Sequence, residues 1–146
     1  MPGAADILDR GRESYGRHAW TDAVAALSAA DEASPLEPDD LVLLATAAYL
    51  IGRDDESTGL LERAHHDYLG RDAIEPAARC AFWLAFFLLG GAQFERGGGW
   101  VARGRRLLDA DGRECVEQGY LLFAAGMMAI FDGDLAGAYT AFAAAG

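Results

Sequence analysis

Apolar residues recur along this chain at the three- and four-residue spacing of helices, and no stretch alternates in the manner of a strand. Alanine and leucine are abundant and β-branched residues are few, which also favours helix. Glycine, proline and aspartate interrupt the pattern at regular intervals. We therefore predict eight helices, near residues 5–16, 20–32, 38–51, 54–69, 74–89, 92–109, 113–131 and 134–145.

A second pattern repeats between these segments. Every second segment carries a small, a large and a small residue at spacings of four and three: Ala23, Leu27 and Ala30; Ser57, Leu61 and Ala64; Gly97, Val101 and Gly104; Ala138, Phe142 and Ala145. The preceding segments each supply one small residue, and the turns align at one position: Gly11, Ala45, Ala85 and Gly126; His18, Gly52, Ala92 and Gly133. Small side chains suit the close crossing of two antiparallel helices, and larger ones fill the groove towards the next pair.

These spacings resemble the tetratricopeptide repeat, a helix–turn–helix unit of about 34 residues. The resemblance implies an all-α, right-handed array of about four tetratricopeptide-like hairpins, with about eight helices, in one domain spanning residues 1–146. The family prefers a large apolar residue where this chain has Arg10 and an aromatic residue where it has Ser14. These departures suit an N-terminal capping unit with one solvent-exposed face. The run Gly97–Gly99 departs too, and predicts a helix that is frayed or bent there.

The string CAFWLAFFLLGG, residues 80–91, has no polar face. It is shorter than the roughly 20 apolar residues that a membrane-spanning helix needs. In a stacked array, the first helix of each pair lines an inner concave groove, and we expect Phe82, Phe86 and Leu89 to point into it. The same geometry adds residues from the other pairs: Tyr15, Val42, Tyr49, Tyr120, Phe123, Met127 and Phe131.

A largely aromatic groove is typical of a binding surface, because exposed apolar patches of that size usually mark interaction sites. The sequence does not decide between three possible occupants of this groove. They are the protein itself (later parts of the parent chain or a homodimer), a protein or peptide partner, and an apolar small molecule. Recognition of a peptide carboxylate is not expected, because Arg12 and Arg79 are the only cations of the predicted groove.

The formal net charge of -11 over 146 residues argues against direct nucleic-acid contact and against docking on an anionic membrane. The N-terminus has no basic start followed by an apolar core, so it predicts no secretory signal. A cytoplasmic protein follows by default.

No catalytic, cofactor or metal motif is found, so we expect a non-catalytic chain without cofactor or metal. The glycine runs lack the Lys and Ser/Thr of a phosphate loop, and His65 and His66 diverge by about 100° on a helix. Arg103, Arg105 and Arg106 cluster beside Trp100. We interpret them as a solvated helix face, with a contact to another part of the parent protein as the alternative.

A narrower resemblance covers the last third of the chain. Gly99 to Arg103, Leu107 to Asp109 and Cys115 to Leu121 resemble the tetratricopeptide region of actinobacterial LuxR-type transcriptional regulators. Those proteins continue into more repeats and a helix-turn-helix DNA-binding domain. The resemblance implies that this chain is a fragment of a longer regulator, in which it senses a signal or mediates oligomerisation.

Overall fold

The computed structural model describes residues 3–111 and residue 144. Residues 3–111 form six helices: α1 (Ala4–Gly16), α2 (Trp20–Ala33), α3 (Pro38–Leu50), α4 (Asp54–Gly70), α5 (Ile74–Gly90) and α6 (Phe94–Asp111). Each lies within two residues of its predicted bounds. The all-α, helical-repeat class expected from the sequence is confirmed for this part of the chain.

The helix count requires a correction. The sequence predicted about eight helices in about four hairpins, whereas residues 3–111 of the structure form six helices. The higher number came from continuing the pattern of apolar periodicity and breakers past Asp111, to the segments near 113–131 and 134–145. Segments 113–131 and 134–145, with Ala138 and Phe142, lie outside the described residues except for residue 144.

The chain divides into two compact units, Met1–Asp67 and Tyr68–Gly146, which we call unit 1 and unit 2. Unit 1 holds α1, α2, α3 and most of α4, and unit 2 holds α5 and α6. Each unit is built around closely packed helical pairs. The single domain predicted for residues 1–146 stays a prediction.

In unit 1, the small residues of the repeat lie where helices cross. A Cβ added to Gly11 of α1 would lie 2.7 Å from the side chain of Leu27 of α2, so glycine permits this close approach. In the next pair, the Ser57 hydroxyl of α4 donates a buried hydrogen bond of 2.7 Å to the carbonyl oxygen of Ala45 in α3. Small side chains therefore set the distance between paired helices, as predicted.

Unit 2 repeats this arrangement. A Cβ added to Gly97 of α6 would lie 2.9 Å from Leu89 and 3.3 Å from the Ala85 carbonyl oxygen of α5. The helix predicted to fray or bend at Gly97–Gly99 is continuous from Phe94 to Asp111. Its packing on α5 offsets the low helix propensity of glycine. Around it lies a core cluster of Ala78, Phe82, Ala85, Val101 and Leu108, with Trp100 packed against it.

The turns that end four helices are alike. His18, Gly52, Asp72 and Ala92 all have left-handed backbone conformations, with φ of 62°, 84°, 55° and 63°. In each turn, this residue donates to the carbonyl three residues back, and the next residue donates to the carbonyl five back. This is the Schellman motif. The predicted equivalence of His18, Gly52 and Ala92 is confirmed, and Gly133 lies outside the described residues.

Candidate protein-interaction surface

Helix α5 leaves one narrow stripe open to solvent. Arg79, Trp83, Phe86 and Gly90 are exposed at spacings of four, three and four, while the flanking positions Phe82, Leu84 and Leu88 are buried. Trp83 retains 39% of its accessible surface and Phe86 retains 36%. The helix that seemed apolar on every side therefore does have a solvent face, and two large aromatic residues lie on it.

These aromatic side chains contact one another. The rings of Trp83 and Phe86 meet edge to face with centroids 5.9 Å apart, and Trp83 lies 5.8 Å from Phe87. Phe87 is half-buried, and the ring of the buried Phe82 contacts Trp83 edge to face with a centroid distance of 5.0 Å. We call the exposed pair, Trp83 and Phe86, the α5 aromatic surface. Contacts within the cluster restrict both side chains before any partner binds.

The predicted groove residues of α5 divide between core and surface. Phe86 is exposed as expected, but Phe82 is 7% exposed and belongs to the core shared with α6. Leu89 is buried against the position of Gly97. The sequence prediction did not include Trp83. Arg79, the polar residue just before the apolar run, could have identified the solvent face, because Trp83 follows it at the four-residue spacing of one helix face.

In unit 1, the predicted groove residues are half-buried. Tyr15 packs edge to face on Trp20 at 5.2 Å, and His18 stacks on the same indole at 5.1 Å, so these rings consolidate the α1–α2 turn. Val42 and Tyr49 are half-buried along α3.

Two clefts of unit 1, of about 540 Å³ and 260 Å³, are lined by other residues, among them Arg10 and Arg17 in the larger and Arg12 and Asp40 in the smaller. Tyr15, Val42 and Tyr49 line neither.

The other predicted groove residues, Tyr120, Phe123, Met127 and Phe131, lie outside the described residues. The remaining six are distributed over both units. A continuous aromatic groove therefore stays a prediction, whereas the α5 aromatic surface is described directly.

The smaller cleft of unit 1 contains a buried carboxylate. Asp40 of α3 is 4% exposed and accepts two hydrogen bonds, of 2.9 Å and 2.8 Å, from Nε and Nη2 of Arg12 in α1. This bidentate bond to Asp40 raises the pKa of the Arg12 guanidinium. Arg12 also lies 3.5 Å from Asp9. The cation that the sequence placed in the groove is thus already engaged by carboxylates of the chain itself.

A second bidentate pair connects α2 with α4. Arg63 donates to both oxygens of Asp31 at 2.8 Å and 3.0 Å, and the backbone N–H of Leu36 donates to the same carboxylate at 3.1 Å. Hydrogen bonding by Arg63 lowers the pKa of Asp31, against the opposing effect of partial burial. Asp31 therefore fixes both the α2–α3 connection and the position of α4.

The described residues offer few features of other kinds of site. Within residues 3–111, no group of three or more His, Cys, Asp or Glu side chains is arranged to hold a metal ion. His65 is buried and His66 exposed, so the adjacent pair diverges as expected for neighbours on a helix. None of the six helices is both long and apolar enough to cross a membrane.

Comparison with solved structures identifies the type of fold. The crystal structure of MamA, a tetratricopeptide-like helical-repeat protein, aligns with a TM-score of 0.78 and 12% identity, over 98% of this chain and 76% of MamA. Two further structures, "MamA MSR-1 C2" and "MamA AMB-1 P212121", align over 97% of this chain and 94% and 89% of theirs, with 16% and 18% identity and TM-scores of 0.40 and 0.39. The sequence matches no protein family and no curated protein.

The first of these alignments shows the fold alone, because its sequence identity is low. The tetratricopeptide-type helical-repeat fold predicted from the sequence is confirmed. None of these findings relates the chain to LuxR-type regulators.

Proposed function

We propose that this chain is a non-catalytic protein-interaction module of tetratricopeptide type, and that its α5 aromatic surface binds an apolar segment of a protein partner. The observation that carries the proposal is the exposure of Trp83 and Phe86 on a helix whose large apolar residues Phe82, Leu84, Leu88 and Leu89 are buried. Tryptophan is among the residues that dominate binding energy at protein interfaces.

The geometry suits recognition of a protein segment. Each large aromatic side chain can bury about 150–250 Å² on binding. Because Trp83 and Phe86 already contact each other, their ordering on binding costs little side-chain entropy. Arg79 lies one turn before them on the same stripe, which places a polar position beside the apolar contact. Apolar centres with polar rims are typical of protein interfaces.

More specifically, we propose that this module is the sensor part of a cytoplasmic LuxR-type transcriptional regulator. Its support is the sequence resemblance at Gly99 to Arg103 and Leu107 to Asp109, together with a tetratricopeptide-type fold. Reading the gene beyond the codon for Gly146 tests it. A frame that continues into further repeats and a helix-turn-helix supports the regulator, and any other continuation removes this part of the proposal.

Selection of binding peptides tests the interaction surface itself. A displayed library of random peptides is selected on the wild-type chain, and the affinities of the recovered peptides are measured by fluorescence anisotropy. The same peptides are then measured against Trp83→Ala, Phe86→Ala and the control Leu50→Ala. Leu50 is 50% exposed and apolar but lies in unit 1, so the control removes comparable exposed apolar surface elsewhere.

We expect apolar or aromatic peptides whose affinity falls at least about tenfold with Trp83→Ala and changes little with Leu50→Ala. All three variants should keep the wild-type circular dichroism spectrum, because the altered side chains are exposed. Peptides that bind Trp83→Ala and Phe86→Ala as tightly as wild type would overturn the proposal. So would a selection that recovers only peptides sensitive to Leu50→Ala.

A further inference from the structure

Helix α6 carries an exposed positive surface on an acidic protein. Four of the chain's basic residues lie within α6, and all twelve basic residues of the chain are arginine. At about 100° per residue, Trp100, Arg103 and Arg106 occupy one continuous arc of this helix. Gly99 lies within the same arc, and a side chain there would meet only open space. We call Trp100, Arg103 and Arg106 the α6 arginine surface.

These arginines differ from the paired arginines of unit 1. Arg12 and Arg63 each hold a carboxylate through two hydrogen bonds. Arg103 and Arg106 are exposed, and neither forms an ion pair with another described residue. They are neighbours three residues apart, where like charges repel slightly. Carboxylates of an anionic partner would pair with both guanidinium groups and offset that repulsion.

The surface is also partly ordered in advance. The Arg103 guanidinium carbon lies 4.4 Å from the centroid of the Trp100 ring, which is the geometry of a cation–π contact. Trp100 is held in turn by packing against the core cluster around Phe82. Arg103 is therefore positioned beside a half-buried indole and keeps donors for a carboxylate.

We propose that the α6 arginine surface binds an acidic segment of a protein partner, with Arg103 and Arg106 pairing with its carboxylates and Trp100 contacting an adjacent apolar side chain. This site uses α6 and does not depend on the α5 aromatic surface. Planar guanidinium groups suit bidentate carboxylate recognition, which Arg12 and Arg63 already show in this protein.

Charge favours a short acidic protein segment over a nucleic acid. A nucleic acid binds through many phosphates spread along its length, and this chain has a net charge of -11. A short acidic segment meets only the local positive charge, because remote charges are screened beyond about 8 Å at physiological salt.

Direct binding measurements on the full chain test this site. The probes are a fluorescent peptide of glutamate and leucine, its glutamine–leucine counterpart, a single-stranded oligonucleotide and phosphatidylserine vesicles. The test variant is Arg103→Glu with Arg106→Glu. Its control is Arg10→Glu with Arg17→Glu, which changes the net charge equally at two exposed arginines of unit 1. A second variant, Arg103→Lys with Arg106→Lys, keeps the positive charge but removes the planar guanidinium groups.

We expect wild type to bind the glutamate peptide in preference to the glutamine peptide, with an affinity that falls as salt rises. The glutamate variant should lose at least about tenfold in affinity, the lysine variant less, and the Arg10/Arg17 control no more than about threefold. Three outcomes would overturn the proposal: no preference for the glutamate peptide, equal losses in test and control variants, or tighter binding of oligonucleotide or vesicles through the same arginines. Trp83→Ala should leave the preference for the glutamate peptide over the glutamine peptide unchanged, because that preference depends on charge, so the two proposed surfaces succeed or fail separately.

Discussion

The two compact units use the same helical hairpin but are stabilised between helices by different side chains. Unit 1 holds fourteen of the 23 acidic residues and only five arginines, and two bidentate ion pairs connect its non-adjacent helices. Unit 2 holds the exposed aromatic pair of α5 and the α6 arginine surface, around a core that includes Phe82 and Trp100. In both, small residues at the helix crossings set the spacing.

This difference shows which positions of the repeat are constrained. A Cβ on Gly11 or Gly97 would lie within 3 Å of Leu27 or Leu89 across the helix pair, so one such position in each unit must be small. Other positions differ between the units. They hold the Arg12–Asp40 and Arg63–Asp31 ion pairs in unit 1, and the exposed aromatic pair and the α6 arginine surface in unit 2, where both proposed binding surfaces lie.

The largest effect should come from the core of unit 2. Phe82→Ala removes a buried ring and should lower the free energy of unfolding by about 3 to 4 kcal/mol, whereas Phe86→Ala should cost less than about 1 kcal/mol. Urea denaturation followed by circular dichroism measures both. Equal costs would mean that Phe82 is not a core residue, and would restore it to the groove.

The ion pair between α1 and α3 should rank next. Arg12→Ala leaves the buried Asp40 carboxylate without its bidentate partner and should cost about 2 kcal/mol, since hydrogen bonds to charged groups contribute about 1.5–3 kcal/mol. The matched variant Arg63→Ala acts on a more exposed pair and should cost about 0.5–1 kcal/mol. Thermal and urea unfolding would reveal the order. A larger loss from Arg63→Ala would contradict the ranking by burial.

The shared turn offers a comparison at equivalent positions of the two units. Gly52→Ala puts a side chain on a residue with φ of 84° and should cost about 1 kcal/mol. Ala92→Gly relieves the same strain at φ of 63° and should gain about 0.5 kcal/mol. Shifts of the same sign in the two variants would show that the turns are not equivalent.

The smallest effect is a pH dependence confined to unit 1. The pKa of Asp31 is lowered in the folded chain, so its ionised form stabilises the fold above the unfolded pKa of about 3.8. This contribution is lost as the pH falls through the lower folded pKa. Wild type should therefore exceed Asp31→Asn in stability by a constant amount near neutral pH, and the difference should shrink below pH of about 4. A difference that grows on acidification would contradict the assignment.

Much of the fold could be predicted from the sequence. Six helices have the expected bounds because breakers and periodicity are local signals. The turn equivalence of His18, Gly52 and Ala92 was also visible, since it follows from the repeat alone. The prediction of about eight helices was wrong: it carried the same local pattern past Asp111, whereas residues 3–111 form six helices.

The candidate surface was only partly predictable. The predicted groove residues included Phe86 but not Trp83, which are both exposed, and they also included Phe82, which is buried. In residues 80–89 nearly every position is apolar, so periodicity carries no phase information, and the buried side is chosen by the fit of α6 against Ala85 and Leu89.

The sequence by itself determined the helices, the small residues at their crossings and the turns, because these depend on spacing within a few residues of the chain. Only the tertiary structure decided which face of α5 is open and which arginines are paired. Arg12 meets Asp40 across 28 residues and Arg63 meets Asp31 across 32, and such partners are brought together by packing rather than by local pattern. An exposed arginine and a paired one look the same in sequence, since the difference lies in whether folding brings a carboxylate within reach.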